Sequence, residues 1–207
     1  MRKLKLGVLV SGGGSNLQSI IDSCETGYLP AETAVVISNK PEVYALERAN
    51  KHDIPAYTLL SKDYKTSREY EDELIFILEK HDVDLVVLAG FIKVLSPYFV
   101  SKFTRKIVNI HPSLIPSFCG RGFYGKKVHE AVIEYGVKIT GVTVHFVDEG
   151  TDTGPIILQR AVPVKDDDTP DTLAARVLIE EHKIYPEALK LYAEDRLIIK
   201  GRRVLIK

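Results

Sequence analysis

The sequence predicts an α/β protein: an open, mostly parallel sheet with helices on both faces and an antiparallel addition at the C-terminal end. Three observations predict it. Short apolar runs alternate with segments of helical period through the first half of the chain. A glycine-rich turn joins the first apolar run to the first helical segment. In the last third, two strand-like stretches flank a turn rich in Gly and Thr, which reads as an antiparallel pair.

The elements follow in order. Residues 4–10 read as a buried strand, and residues 15–24 as a helix that turns Leu17, Ile20 and Ile21 to one face. A second strand over 34–38 leads to a helix near 43–52, and a short third strand covers 56–60. Residues 68–81 are amphipathic, with Leu74, Ile75, Ile77 and Leu78 inward, ahead of a strongly apolar fourth strand at 84–89 and a fifth at 106–110. Such alternation winds a Rossmann-like parallel sheet. Residues 139–147 and 156–164 form the antiparallel pair, and 198–206 close as a hairpin around Gly201. Between them a long helix covers about 172–195, with Asp171 or Thr169 as its cap, and Pro186 is expected to kink or interrupt it.

The 207 residues hold no repeat and no low-complexity linker, so one domain over 1–207 is expected. Lys and Arg total 28, as do Asp and Glu, and the zero net charge argues against general affinity for nucleic acid or an anionic membrane. No apolar run approaches the ~20 residues that span a bilayer. Lys3 and Lys5 before the first apolar run mimic a secretory signal, but the run is brief and leads into a helix rather than a cleavage site. Two cysteines, Cys24 and Cys119, are too few for a disulfide framework, and the expected location is the cytoplasm.

Ser11-Gly12-Gly13-Gly14-Ser15-Asn16-Leu17 lies between the first strand and first helix. Glycines permit close backbone approach there, and a helix N-terminus offers N–H groups to an anion, so a phosphate monoester is the natural guest. A dinucleotide fingerprint fails, because Leu17 stands where a third glycine is needed and Ser38-Asn39-Lys40 replaces the acidic strand end. A triphosphate loop fails for want of Gly-Lys-Ser/Thr. The plain alternative is a tight turn with no ligand.

The densest chemistry lies in Val108-Asn109-Ile110-His111-Pro112-Ser113-Leu114. Strand alternation sends Asn109 and His111 to the same side, and Pro112 ends the strand just past His111. An amide donor beside an imidazole suits acyl transfer, the one stabilising a developing oxyanion and the other moving a proton. Asp152, in a tight Gly- and Pro-bounded turn, would raise the His111 pKa if it lay close, with Asp148 and Glu149 as competitors. Loop-satisfying hydrogen bonds are the bland alternative for all three. Cys119 has no adjacent base and is discounted as a nucleophile. Neither histidines nor cysteines show metal-ligand spacing, so no metal is expected.

Gly14-Ser15-Asn16, Leu88-Ala89-Gly90-Phe91, Asn109-Ile110-His111-Pro112-Ser113-Leu114 and Thr151-Asp152-Thr153-Gly154 occur in this order along almost the whole chain. In these motifs the sequence resembles the phosphoribosylglycinamide formyltransferases, a branch of the folate-dependent formyltransferase superfamily. The Asn-x-His-Pro-Ser element with a later Asp is shared by the superfamily, whereas the glycine loop favours the glycinamide branch. The resemblance implies formyl transfer from 10-formyltetrahydrofolate to the amine of 5'-phosphoribosylglycinamide in de novo purine biosynthesis. It implies Asn109, His111 and Asp152 as catalytic, Gly14, Ser15, Asn16 and Glu181 as substrate-binding, and Arg68, Ile92, Lys93, Val94, Leu95 and Asn109 as folate-binding. A phosphate-binding half over about 1–110 and a catalytic and folate-binding half over about 111–207 follow from it.

Thr143 and His145 are candidates to support the site from the strand leading to Asp152. The stretch 117–125 is several residues longer than the usual loop of the family, which leaves the cleft rim and Arg121 open. Expected partners are small molecules, with a homodimer as one admissible assembly. The rivals are a formyltetrahydrofolate deformylase, formyl transfer to initiator tRNA and a non-catalytic phospholigand-binding protein. The first two are disfavoured here because those relatives carry an extra N- or C-terminal domain.

Overall fold

The computed structural model describes residues 2–207, which fall into two compact units divided between residues 108 and 109. In the first, β1 (Leu4–Val10) pairs in parallel with β2 (Ala31–Ser38) and β4 (Leu85–Leu88), and β2 pairs in parallel with β3 (Ala56–Thr58). The strand order is β3-β2-β1-β4. All of β4 and the last five residues of β1 are buried, as strands covered on both faces require. Gly7 is where β1 admits a neighbour closely: a Cβ there would lie 2.5 Å from the Leu78 side chain. That leucine belongs to α3 (Ser67–Lys80), whose buried face includes Leu74, Ile75, Ile77 and Leu78 as the periodicity requires. Thr66 caps α3 by accepting from the Glu69 N–H. Helices α1 (Ser15–Glu25) and α2 (Tyr44–Lys51) complete the early alternation.

Two short elements lie beyond the sequence expectation: a 3-10 turn at Ser61–Asp63 and helix α4 (Pro97–Lys102). The signal for α4 was present, since Ser96 caps it and Pro97 takes its first position. Its six residues are too few to show a period. Strand β5 (Ile107–His111) leads into the second unit, whose strand order is β5-β6-β7-β9-β8.

There β6 (Ile139–Phe146) and β7 (Ile156–Pro163) pair antiparallel, with Thr143 opposite Gln159 and a register shift between Val144 and His145. The terminal hairpin, β8 (Leu197–Lys200) and β9 (Arg203–Ile206), joins the sheet through β9, parallel to β7. Helix α5 (Lys126–Tyr135) was not anticipated, although Gly125 and Gly136 bracket it and Val128 and Val132 face inward. Helix α6 (Pro170–Ala193) starts earlier than expected, because Thr169 forms a capping box with Thr172 and Pro170 opens the first turn.

Pro186 neither ends nor interrupts α6. A proline removes one backbone donor and crowds the preceding turn, but Ile184, Tyr185, Pro186, Ala188 and Leu189 are all buried, and that packing holds the helix together through it. Among the described residues no helix is long and apolar enough to cross a membrane.

Candidate active site

Strand β5 ends at His111, where Pro112 follows, and its alternation presents Asn109 and His111 to one acid. His111 Nδ1 lies 3.6 Å from Asp152 Oδ2, and Asn109 Nδ2 lies 3.5 Å from Asp152 Oδ1. Asp152 occupies the left-handed region at φ 57, a conformation that aspartate tolerates better than most residues. The competitors drop out. Asp148 Oδ1 accepts from the Gly150 N–H and the Thr153 hydroxyl within its own turn, and Glu149 is exposed.

A fourth side chain belongs to this cluster. His145 Nδ1 donates to the Phe146 carbonyl at 2.8 Å, and in that tautomer the lone pair is on Nε2. That lone pair accepts from Asn109 Nδ2 at 3.1 Å, while Nε2 also lies 3.7 Å from Asp152 Oδ1. One amide hydrogen of Asn109 is thus committed to His145; the other is held only by the long contact to Asp152 and is available to a ligand oxygen. Thr143 acts one step back. Its hydroxyl donates to the Ser113 carbonyl and accepts from the Ile115 N–H and Gln159 Nε2, which holds the turn after His111 against β6.

The long stretch 117–125 closes on the same groups. The Phe118 carbonyl accepts from His111 Nε2 at 2.9 Å, and the Gly120 N–H donates to Asp152 Oδ2 at 2.9 Å. Phe118 itself takes a positive φ of 49 and packs edge-on against Phe123 and Tyr135. These backbone partners could not be read from sequence, because any residue type supplies a carbonyl or an N–H. Arg121 is exposed.

The charge state of His111 departs from expectation. Asp152 does raise its pKa, as does the bond to Phe118, but burial of the ring is the larger effect and the net direction is down from 6.5. His111 is 4% exposed, and a cation there lacks the water that would solvate it. The resting imidazole is therefore neutral at pH 7. For Asp152, burial pushes the carboxyl up, but the neighbouring His145 and His111 rings and the Gly120 N–H together hold it below 3.8.

In the first unit, the glycine loop leaves β1 and enters α1 at Gly14, which has φ 70 and supplies no side-chain cap to the helix. Ser15 and Asn16 are its first two residues. Ser11, at the mouth of the loop, donates to Asn39 Oδ1 at 2.6 Å and accepts from the Ile92 N–H at 2.9 Å. The segment 92–95 is thereby tied to the loop. At its far end the buried Glu71 carboxylate receives the N–H and hydroxyl of Ser96. Ile92 and Val94 are exposed, Leu95 is buried, and Lys93 Nζ lies 4.9 Å from the Tyr70 ring centroid. Arg68 stacks 3.2 Å above the Tyr98 ring and bonds Asp72 through Nε, and its side chain is exposed. Glu181 lies on the buried side of α6 in the second unit. Among the described residues no group of three or more His, Cys, Asp or Glu is arranged to hold a metal ion.

A family model described as formyl transferase matches residues 4–189. The chain belongs to the formyl transferase family. This formyl transferase is 43% identical to the phosphoribosylglycinamide formyltransferase of Haemophilus influenzae, over 95% of its own length and 90% of the relative's. A crystal structure of glycinamide ribonucleotide transformylase 1 from Symbiobacterium toebii matches it with a TM-score of 0.94 at 45% identity, covering 99% of this chain and 94% of that one. A formyltetrahydrofolate deformylase from Pseudomonas syringae shares the fold at 27% identity and a TM-score of 0.89, covering 99% of this chain but 66% of that one. This formyl transferase spans 18% of the length of its trifunctional human and bovine relatives and 64% of a chloroplastic plant relative.

Proposed function

We propose that this protein transfers a formyl group from 10-formyltetrahydrofolate to the amine of 5'-phosphoribosylglycinamide, a step of de novo purine biosynthesis. The observation that carries the proposal is the gathering of Asn109, His111 and Asp152, with His145 behind them, in one partly buried cluster. The likeness to phosphoribosylglycinamide formyltransferases along nearly the whole chain supports the choice of acceptor. The reading of 1–207 as one formyltransferase domain is part of this proposal, and the glycine loop belongs to the first unit.

The chemistry follows from the side chains. As the amine nitrogen bonds the formyl carbon, the formyl oxygen gains negative charge, and the loosely held Asn109 N–H donates to it. Neutral His111 takes the proton that the amine must lose, and the imidazolium so formed faces the Asp152 carboxylate. The proton then passes to the folate nitrogen as its bond to the formyl carbon breaks. Asp152 stabilises the transient cation rather than a permanent one. Gly14, Ser15 and Asn16 hold the phosphate, and Glu181 meets the acceptor's other end. The exposed Arg68 side chain suits the carboxylate tail of a folate, and exposed Ile92 and Val94 beside Lys93 and Leu95 suit its flat ring. A cytoplasmic location and small-molecule partners fit this role, and sedimentation tests the homodimer as one assembly.

The test follows formyl-folate consumption with no acceptor, with glycinamide ribonucleotide and with charged initiator tRNA. Turnover only with the ribonucleotide is expected. Equal turnover without acceptor would establish the deformylase instead, and binding without turnover would establish a phospholigand sensor.

A further inference from the structure

The glycine loop is braced from outside by α2, and the bracing acts on carbonyls. The Gly12 carbonyl accepts from the Ala45 N–H at 3.2 Å, and the Gly13 carbonyl accepts from Arg48 Nε at 2.9 Å. In a planar trans peptide the N–H points opposite to the C=O of the same unit. Pinning these two carbonyls toward α2 therefore turns the Gly13 and Gly14 N–H groups away from it. Successive N–H groups aimed to one side form an anion-binding concavity. A Cβ placed on Gly12 or Gly13 would meet no atom within 4 Å, so the loop borders open space there, whereas one on Gly14 would strike the Ala45 Cβ at 2.7 Å.

Arg48 is itself held in place. Its Nη1 donates to Gln18 Oε1 at 2.9 Å, and its guanidinium lies 4.6 Å from the Tyr44 ring centroid. Gln18 in turn bonds Asp22 and His52, and its own N–H donates to the Gly14 carbonyl in the first turn of α1. A flexible surface arginine would need none of these anchors.

We propose that Arg48 is a positioning residue for phosphate: with the Ala45 N–H it aims the Gly13 and Gly14 N–H groups at the phosphate of the acceptor. The inference rests on the reading of this loop as the phosphate site and adds the device that shapes it. Arg48 acts through the backbone, so its loss weakens phosphate recognition and spares the formyl-transfer step.

The probe is inorganic phosphate, as a competitive inhibitor against the phosphorylated acceptor. In Arg48→Met, phosphate inhibition and the acceptor KM are each expected to weaken about tenfold, the scale of one lost charge-assisted hydrogen bond. The folate KM and kcat stay within about twofold, a split that general destabilisation would not produce. Arg48→Lys keeps the charge without the fork and should fall between the two; inhibition equal to wild type would mean that charge rather than aim matters, and would overturn the proposal. So would an unchanged inhibition constant in Arg48→Met. If that variant folds poorly, Gln18→Leu removes the anchor of Nη1 and should weaken inhibition about threefold; no change there sinks the proposal equally. Inhibition that Ser15→Ala weakens but Arg48→Met leaves intact refutes the role of Arg48 alone. A wild-type protein that phosphate does not inhibit refutes the phosphate loop, and this inference with it.

Discussion

The glycine loop and the Asn109–His111–Asp152 cluster solve the same problem, presenting hydrogen-bond donors and acceptors to a ligand, with opposite materials. The loop works through peptide N–H groups, whose direction is set by backbone geometry and by Ala45 and Arg48 behind it. The cluster works through side chains drawn from β5, β6 and the turn at Asp152, and their charge depends on burial and on one another. The contrast teaches where each is vulnerable. Deleting a functional group should cripple the cluster and leave the fold intact, whereas the loop should fail chiefly when its backbone is strained.

The largest effect tests the cluster. Asn109→Ala should lower kcat about 10²–10³-fold, the usual cost of losing an oxyanion donor, with the acceptor KM little changed. Asp152→Asn should cost a comparable factor while keeping its melting temperature, because asparagine accepts the left-handed backbone at this position. Near-normal turnover in either variant, measured at saturating folate, would remove the cluster from the chemistry.

Next comes a pair in the loop. Gly14→Ala must hold a side chain at φ 70 and press it against Ala45, and should lose about 1–3 kcal/mol of stability in denaturant titration. Gly13→Ala meets open space without positive φ and should lose less than about 1 kcal/mol. Equal losses would show that the loop is not shaped by its backbone.

A smaller, graded effect concerns pH. Burial lowers the pKa of both His111 and His129 below 6.5. Between the folded and unfolded values the unfolded chain binds more protons, so stability rises with pH. The melting temperature should fall as pH drops below about 6.5, and His129→Leu should make the profile shallower. A profile flat between pH 7.5 and 5.5 would contradict the burial argument.

The smallest effect concerns the two free thiols. Burial raises Cys24, at the end of the helix that the loop opens, to about 11. Burial and then the charge of Asp152 raise Cys119. Alkylation of Cys119 should quicken modestly in Asp152→Asn while Cys24 stays unreactive in both proteins.

Much of the fold was legible from periodicity. The buried strands at 4–10 and 84–89 stand out as short apolar runs, the inward face of α3 follows the 3.6-residue period, and Gly201 marks the terminal hairpin. Helix α5 lies outside the expectation although glycines bracket it, and the expectation that Pro186 kinks or interrupts α6 weighs only the local chain, whereas the buried flank carries the helix through it without interruption. In the cluster, Asn109, His111 and Asp152 were named from residue type and resemblance. His145 and Thr143 were candidates from their place on the strand before Asp152, whereas the carbonyl of Phe118 and the N–H of Gly120 were not, since a backbone partner leaves no mark in residue identity.

By itself the sequence determined which stretches become strands and helices, where the chain must turn, and which side chains could carry chemistry, because these depend on local sterics and functional groups. Tertiary structure alone decided that Asp152, rather than Asp148, meets His111 and that the ring rests neutral. It also decided that two carbonyls of the glycine loop are pinned by α2. Those outcomes depend on solvent exclusion and on partners that only a folded chain brings within a few ångströms of each other.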